Sequence, residues 1–385
     1  MICRWWLEKI APVGLVVLAP IVAAQAPPAT ELGRPLAAVS HEFSQIDGVA
    51  ELTGGRLLVA DRRDRMLYLV LPATGQVEPL GRRGQGPGEY HTIFGVVRWR
   101  GDTLLVYDSG NRRLLKIDPA GRIAGTISFP SSTLYGGIAP PRGADARGHI
   151  YWGRVVVGIE SSGDMRRRQT LDIVRWLPGS ERLDTVAAVA DHAPAMHDHR
   201  FHPFAERDAW IVGTDGRIGV LVAADFRLRW LANGRTVAEG PRLAPTPVPV
   251  TATDRNDYRE WRARNPAGGA SVGGGEGGSV PMEAVRRQMA QAYPDAMFPL
   301  HKPPFEENGA WHSPGGDIWV ARSKGAGERV ATVDVLDARG ALKRTVRLPP
   351  NTRVVALERG GIYLVRIDND DLEYLQHYAW PEGLR

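Results

Sequence analysis

The sequence predicts an all-β fold, a six-bladed β-propeller with a helical, glycine-rich insertion between blades four and five. Six β-rich runs along the chain each close on a glycine-containing turn and then restart. Two of these runs, which start at Gly55 and Gly101, align residue by residue, and Asp61 then falls opposite Asp108. Self-similarity at a period in the forties is typical of repeat folds. The 44 glycines and 29 prolines suit many short strands joined by tight turns.

Residues 1–24 are expected to be a cleavable secretory signal peptide. Arg4 and Lys9 flank an apolar run that ends in small residues at Ala24. About fifteen apolar residues are too few to span a bilayer comfortably, so we expect no stable membrane span. The only cysteine, Cys3, precedes the run, whereas a lipoprotein cysteine would follow it, so there is no lipobox. The mature chain would be secreted or periplasmic and would contain no thiol for disulfides, metal binding or catalysis.

The propeller is expected over residues 36–385, with one hairpin at the centre of each unit. The first strand of each hairpin is predicted at Arg56–Ala60, Thr103–Tyr107, His149–Trp152, Arg217–Val222, Asp317–Ala321 and Gly361–Arg366. The second is predicted at Met66–Leu71, Arg113–Ile117, Asp172–Trp176, Leu228–Leu231, Ala331–Leu336 and Leu372–Tyr378. This even spacing favours a propeller. The sixth unit ends after about three strands, and the unpaired segment Leu36–Phe43 would complete it and close the ring. Tryptophans near the strands, such as Trp152 and Trp319, are expected to pack between blades rather than to bind sugars.

The second unit, Val106–Gly121 (VYDSGNRRLLKIDPAG), resembles an NHL-type repeat. Its residues at the family's positions are Asp108, Ser109, Gly110, Asn111, Arg113, Asp118 and Gly121. The first unit keeps Asp61, Asp64 and Gly75 but has Met66 in place of Arg113. The segment Gly81–Tyr90 is similar to a turn of secreted bacterial six-bladed propellers related to the NHL and TolB-like groups. The resemblance implies a six-bladed propeller, and such groups include both binding scaffolds and enzymes.

Turn chemistry explains the repeated residues without a ligand. Asp108 and Asn111 are expected to accept hydrogen bonds from backbone N–H groups two residues on and so to close the loop between two strands. Gly110 and Gly121 are expected to supply a positive φ where the chain reverses.

The insertion is expected over residues 245–304, with two short helices. Thr253 or Asp254 is predicted to cap a helix that ends near Arg264, and Ser279 to cap a second helix. In the second helix, apolar residues recur at three- or four-residue steps along one face, at Met282, Val285, Met289 and Tyr293. The stretch between the helices, residues 268–278, is rich in glycine and is expected to be flexible. The insertion is either a hairpin that lies on the propeller or a lid over its central pocket.

Propeller topology places the connections between blades, and the turns between second and third strands, on one face. Arginine is frequent there, and its planar guanidinium suits carboxylates and phosphates. A small anionic molecule, or a peptide or protein partner, is therefore a candidate ligand, although a solvated arginine-rich surface is an alternative. The predicted ligand-binding residues are Arg62, Arg82, Arg83, Glu89 and Arg112. A formal net charge of only +5, together with a secretory signal, argues against nucleic acid.

The segment of residues 191–202 holds the best metal candidates. Four histidines, His192, His197, His199 and His202, lie close together there. Imidazole groups bind zinc, but this spacing matches no strong zinc signature, so a polar loop is the alternative. We predict no cofactor, although a divalent metal is possible. The Gly84–Glu89 segment lacks the strand, helix and Lys-Ser/Thr pair of a phosphate-binding loop. The sequence has no Gly-x-Ser-x-Gly elbow between a predicted strand and a predicted helix, and no His-Glu-x-x-His motif.

Three functions are compatible with these features. The first is a secreted or periplasmic binding module, expected to be a monomer, for an anionic or peptide-like ligand. The second is a metal-dependent propeller hydrolase or lyase that acts on lactone, ester or peptide-derived substrates. The third is a component of a cell-envelope assembly whose partner binds the rim of the propeller. Fold alone does not decide between them.

Overall fold

The computed structural model describes residues 29–131, 139–159, 165–190, 203–264 and 282–384. Three predicted features lie outside these ranges: the signal peptide, the histidine segment 191–202 and the glycine-rich stretch with Ser279. Within the described ranges, neither helix has the length and apolar composition needed to cross a membrane.

The described residues form 27 strands and two α-helices, numbered in chain order. Before the first blade come β1 Ala29–Glu31 and β2 Ala37–Ala38. Blade one contains β3 Ile46–Glu51, β4 Leu57–Asp61, β5 Met66–Leu71 and β6 Gln76–Leu80, and it is followed by β7 Arg82–Arg83 and β8 Glu89–Tyr90. Blade two contains β9 Ile93–Arg98, β10 Leu104–Asp108, β11 Arg113–Ile117 and β12 Ile123–Ser128. Blade three contains β13 Gly143–Ala144, β14 Ile150–Ile159, β15 Met165–Trp176 and β16 Leu183–Ala190.

The second half of the chain continues this pattern around the helical insertion. Blade four contains β17 Ala209–Val212, β18 Ile218–Val222, β19 Arg227–Ala232 and β20 Arg235–Glu239. The helices are α1 Ala252–Arg264 and α2 Met282–Ala292. Blade five contains β21 Phe305–His312, β22 Ile318–Arg322, β23 Thr332–Leu336 and β24 Leu342–Arg347. Blade six contains β25 Thr352–Glu358, β26 Gly361–Ile367 and β27 Glu373–Tyr378.

Each blade is an antiparallel sheet, and strands from before blade one extend the last two blades. The predicted N-terminal strand pairs as expected, because β2 lies antiparallel to β27, with Ala37 opposite His377, and is the fourth strand of blade six. The sequence did not indicate a second such strand. β1 lies parallel to β24, with Ala29 opposite Thr345, and becomes a fifth strand of blade five.

Among the described residues, six apolar clusters fill the ring, and each takes its residues from two neighbouring blades. One cluster joins Leu57 and Val59 of blade one to Tyr363 and Val365 of blade six, so the last blade packs against the first. The other five join the remaining neighbours in order. Burial of apolar surface, at roughly 25 cal/mol per Å², is the main source of stability in such cores. Strand order and ring packing together confirm the predicted all-β six-bladed propeller.

The tryptophans at the centre of the strands belong to this core, as predicted. Trp152, Trp210 and Trp319 are each at most 2% exposed. Their rings fill the spaces between blades and are not available to stack on a sugar.

The structure confirms one expectation about the glycines of blade two and corrects another. Gly121 has a positive φ of 79°, but in the turn between β10 and β11 the positive φ is at Arg112, at 52°, and not at Gly110. A Cβ at Gly110 would lie only 2.4 Å from Nδ1 of His91. Glycine is therefore needed at position 110 because a neighbouring loop approaches closely, not because the chain reverses there.

The insertion contains the two predicted helices, but the residue that caps the first is different. The hydroxyl of Thr251 is 3.3 Å from the backbone nitrogen of Asp254, whose carboxylate accepts a 2.8 Å hydrogen bond from the backbone N–H of Thr251. This reciprocal pair is a capping box, so Thr251 is the N-cap and the predicted Thr253 or Asp254 is not. Val285 and Tyr293 of the predicted apolar face are buried, each 3% exposed.

Candidate functional site

Loops that topology assigns to one face contact one another in the structure. Asp108, at the end of β10, accepts hydrogen bonds from the backbone N–H groups of His91 at 3.0 Å and Thr92 at 3.3 Å. The carboxylate thus holds the connection between blades one and two, whereas backbone N–H groups two residues further along the chain were predicted to be its donors. Asn111 also contacts this connection, but as a donor to the carbonyl oxygen of Gly84 at 2.9 Å and not as the predicted acceptor of backbone N–H groups.

Three of the predicted ligand-binding residues lie in this connection. Glu89 accepts a hydrogen bond from the backbone N–H of Gly86 and forms an ion pair with Arg82, and each contact is 2.8 Å long. The hydrogen bond from Gly86 has the larger effect in lowering the pKa of Glu89, and the hydrogen bond from Arg82 lowers it further. Arg83 contacts Nε2 of His91 at 3.3 Å. Glu89 therefore shapes the loop, while the guanidinium groups of Arg82 and Arg83 remain exposed.

The other two predicted residues are also on the surface of blades one and two. The guanidinium of Arg62 lies 5.0 Å from the ring centroid of Phe94, a distance at which a cation–π interaction forms. Arg112 is exposed and has the positive φ described above. None of the five residues lines any of the three cavities described below, and a role for them in ligand binding stays a prediction.

The four candidate metal-binding histidines, His192, His197, His199 and His202, lie outside the described residues. In the part of the chain that the structure does describe, no three His, Cys, Asp or Glu side chains are grouped so that they could hold a metal ion.

A cavity of about 680 Å³ lies between α1 and blades four and five, where connections between blades meet. Its walls come from the connection that enters blade four, from α1, from residues 302–307, and from the turn that follows β22. Three of these segments are among those that topology predicted to share a face. Small-molecule sites in proteins commonly measure about 300–1,000 Å³, so we call this space the α1 cavity and consider it the candidate site.

Two smaller cavities adjoin the α1 cavity. One, of about 230 Å³, shares Arg207, Phe305 and Glu307 with it. The other, of about 480 Å³, lies on the far side of Lys302 and Lys324 and contains several prolines of the insertion.

Aromatic side chains form much of the wall of the α1 cavity. Tyr258 of α1 lies 5.9 Å from Phe204 and 6.1 Å from Trp261, measured between ring centroids. Tyr258 and Trp261 face the same space because residues three apart lie on one side of a helix. Trp261 is 55% exposed, so a ligand in the cavity could cover its ring and bury apolar surface.

A bulge in the innermost strand of blade five brings Glu306 and Glu307 to the wall of the α1 cavity. Phe305 pairs with Arg322 and Ala310 with Val320, so residues 306–309 of β21 leave the ladder. Bulges of this kind are frequent next to functional sites because they change the direction of side chains. Glu306 and Glu307 would point to opposite faces of a regular strand, yet both line the cavity.

Most of the charged groups in the cavity wall are paired. Nζ of Lys302 lies 2.5 Å from the Asp254 carboxylate and donates to the carbonyl oxygen of Lys324 at 2.7 Å. Arg207 forms an ion pair with Glu307. Within the described ranges, no residue forms a hydrogen bond or ion pair with the ammonium group of Lys324 or with the carboxyl group of Glu306.

The environment of Glu306 favours its neutral form. Burial raises the pKa of this carboxyl group, and the nearby charges of Lys324 and Lys302 only partly oppose the effect. Asp254 shows the opposite balance, because hydrogen bonds from Lys302 and Thr251 outweigh burial and lower its pKa. A carboxyl group with a raised pKa and no partner in a cavity is typical of functional sites.

Sequence reasoning identified the insertion but not the residues that line the cavity. Glu306, Lys324 and Trp261 carry no motif, and they come together only through the bulge and the position of α1. The one available signal was the polar run Glu306–Gly309 at the start of an otherwise apolar strand, which is consistent with a bulge.

The comparisons with known proteins give neither a family nor an activity. No family model and no curated protein matches the chain. Among solved structures, the chain is similar to a member of the DUF4221 family from Bacteroides vulgatus, with 10% identity, coverage of 92% of this chain and 95% of that chain, and a TM-score of 0.47. It is also similar to a gluconolactonase from Xanthomonas campestris, with 13% identity, coverage of 92% and 97%, and a TM-score of 0.46. The third is the calcium-binding protein regucalcin from Agrobacterium tumefaciens, with 12% identity, coverage of 92% and 98%, and a TM-score of 0.45. Likeness at this level leaves the activity of the chain open.

Proposed function

We propose that the chain is a secreted or periplasmic propeller that acts as a binding module, and that the α1 cavity binds a small amphipathic anion. One observation carries the proposal: a ligand-sized cavity has an aromatic wall and a lysine, Lys324, whose ammonium group has no partner among the described residues. Aromatic rings would bury the apolar part of the ligand, and Lys324 would pair with its charged group. Secretion and the NHL-type relationship are part of this proposal.

Anilinonaphthalene sulfonate is a suitable probe because it combines aromatic rings with a permanent negative charge. We expect its fluorescence to rise on binding to the native protein, and Lys324→Met to weaken that binding about tenfold, which corresponds to about 1.4 kcal/mol for one lost charged contact. Trp261→Ala should also weaken binding because it removes part of the aromatic wall. Circular dichroism and thermal unfolding would verify that both variants are folded.

Lys116→Met is the matched control, since it removes the same charge from β11 in blade two, outside the α1 cavity. It should leave the affinity for the probe unchanged. Equal affinities of the native protein, Lys324→Met and Trp261→Ala would show that the probe binds elsewhere and would refute the proposal.

The predicted arginine surface is a separate contact that a larger anionic or peptide-like ligand would use. Arg82→Ala combined with Arg83→Ala should weaken the binding of such a ligand without changing the affinity of the small probe, because neither arginine lines the α1 cavity.

The metal-dependent hydrolase or lyase is the alternative. It requires a stoichiometric ion, which elemental analysis of the purified protein before and after chelation would detect. A binding module of the kind proposed here keeps its affinity for the probe after chelation.

A further inference from the structure

Glu306 creates an electrostatic conflict in the α1 cavity. The proposed ligand is an anion, and an ionised carboxylate in the same half-buried space would repel it. Among the described residues, the neighbours that favour the ionised form are Lys302 and Lys324, and Lys302 is already paired with Asp254. An anion that pairs with Lys324 would therefore offset most of the remaining electrostatic stabilisation of the ionised Glu306 carboxylate.

We propose that Glu306 is a proton-linked ligand contact, whose protonated carboxyl group donates a hydrogen bond to the same anionic group that Lys324 binds. Each binding event would then take up one proton from solvent, and release of the ligand would return it. This inference rests on the proposed function and adds the ligand class and its regulation. The ligand is an amphipathic oxyanion, such as a carboxylate or sulfonate, and its affinity rises as the pH falls.

The position of Glu306 is fixed by the geometry of the bulge. Asn308 has a positive φ of 61°, and a Cβ at Gly309 would lie 2.9 Å from the carbonyl oxygen of Glu306. Only a glycine allows the backbone to turn back so closely at this point. The bulge therefore holds Glu306 at the cavity wall, outside the backbone pairing of β21 with β22.

Other charged groups face the cavity from each element that packs around Glu306. On β21, Glu307 is paired with Arg207 from the connection into blade four. From the insertion come Asp254 with its partner Lys302, and the α1 residues Asp257, Tyr258 and Arg262. From the turn after β22 comes Lys324. Lysine and arginine ordinarily keep their charge between about pH 5 and pH 8. Among the carboxyl groups of this wall, burial raises the pKa of Glu306, whereas hydrogen bonds lower that of Asp254, so Glu306 is the group best placed to remove the conflict by binding a proton.

The sign of the pH dependence follows from this arrangement. Burial raises the pKa of Glu306, and a bound anion would raise it further. Affinity should be highest at low pH, where the carboxyl group is neutral with and without ligand. It should fall as the pH rises through the pKa of the free protein, by at most about tenfold per pH unit for one proton.

The test is a titration with anilinonaphthalene sulfonate from about pH 5 to about pH 8, a range in which its sulfonate stays ionised. We expect the affinity of the native protein to fall across this range. In Glu306→Gln, which mimics the neutral carboxyl, the affinity should be nearly independent of pH. Glu307→Gln is the matched control and should keep the slope of the native protein. Other titrating groups, such as the four histidines of 191–202, are unchanged in both variants, so the difference between the two profiles isolates Glu306.

A second measurement does not depend on the folding of any variant. Calorimetric titration of the native protein in buffers of different ionisation enthalpy should show uptake of about one proton per bound probe at the pH of steepest slope. Absence of proton uptake, or the same slope in Glu306→Gln and the native protein, would overturn the inference. If Lys324→Met still weakens binding in that case, the proposed function stands and only the proton linkage fails. If neither variant changes binding, the proposed function fails as well.

Discussion

At the scale of residues, buried carboxylates hold the loops of the propeller in place. Asp61 and Asp108, the aligned aspartates of the first two blades, are both fully buried. Asp61 accepts hydrogen bonds from the backbone N–H groups of Ser44 at 2.7 Å and Gln45 at 3.2 Å, and Asp108 does the same for His91 and Thr92. A buried N–H group without an acceptor costs free energy. The aspartate is therefore repeated in these two blades because each has an entering connection whose N–H groups need an acceptor.

Replacement of Asp108 by alanine should destabilise the protein strongly. The change removes the acceptor of two backbone N–H groups and the carboxylate that pairs with Arg113, whose Nε lies 3.2 Å from it. We expect the free energy of unfolding in urea to fall by about 2–4 kcal/mol. Asp64→Ala is the control, because this side chain is exposed, and it should change stability by less than about 0.5 kcal/mol. Similar losses for both variants would contradict this account.

The sequence predicted the role of a residue where that role depends on its own turn, and did not predict it where the role depends on contacts from elsewhere in the chain. The positive φ of Gly121 belongs to its own turn and was predicted. The glycine at position 110 is required by the close approach of His91 from a different loop. A local sequence pattern does not predict a contact between residues so far apart in the chain. The surroundings of Glu306 and Lys324 are equally non-local, since they depend on how α1 lies over blades four and five. Local rules therefore identified turns but not the cavity.

At the scale of elements, the sequence predicted the regular strands, whereas the candidate site is formed by an irregular strand, β21. Alternating apolar residues predicted the central hairpin of every blade because such residues face the packing between blades. The start of β21 instead contains the polar run Glu306–Gly309, which breaks the alternation. A broken pattern indicates that a strand is irregular but not in which direction its side chains turn. The candidate site is thus built at the position where the repeat is interrupted.

The capping box of α1 is a second element that can be tested. Thr251→Val keeps the shape of the side chain but removes the hydroxyl, which donates a 2.7 Å hydrogen bond to Asp254. Loss of an N-cap costs about 1 kcal/mol. Amide hydrogen exchange within α1 should therefore become about fivefold faster, while exchange in the blades should not change.

The control for this experiment is Thr253→Val, because Thr253 is the neighbouring threonine that sequence reasoning offered as the cap. Its side chain is exposed, and its replacement should leave exchange in α1 unchanged. Faster exchange in Thr253→Val than in Thr251→Val would show that the helix starts two residues later than described.

At the scale of the whole molecule, stability depends on closing the ring at its two ends. The segment before blade one runs along blade six, where the backbone N–H groups of Leu36 and Val39 donate to His377 at 2.7 Å and Leu375 at 2.9 Å. Closure removes an exposed strand edge. It also connects the first and last described parts of the chain, so blade six cannot separate from blade one without breaking both the sheet and the core cluster between them.

Phe43 is the residue at which this closure should be most sensitive. Its side chain is fully buried between blades one and six, and its backbone exchanges two 2.9 Å hydrogen bonds with Glu373. Phe43→Ala should lower the free energy of unfolding by about 3–5 kcal/mol. Unfolding in urea should remain a single transition, because the cavity left by the ring weakens a contact on which the whole ring depends. Leu36→Ala, in the same segment but with a side chain 63% exposed, should change stability by less than about 0.5 kcal/mol. Equal effects of the two variants would mean that the segment contributes through its backbone alone, and that the ring is not closed by the packing of Phe43.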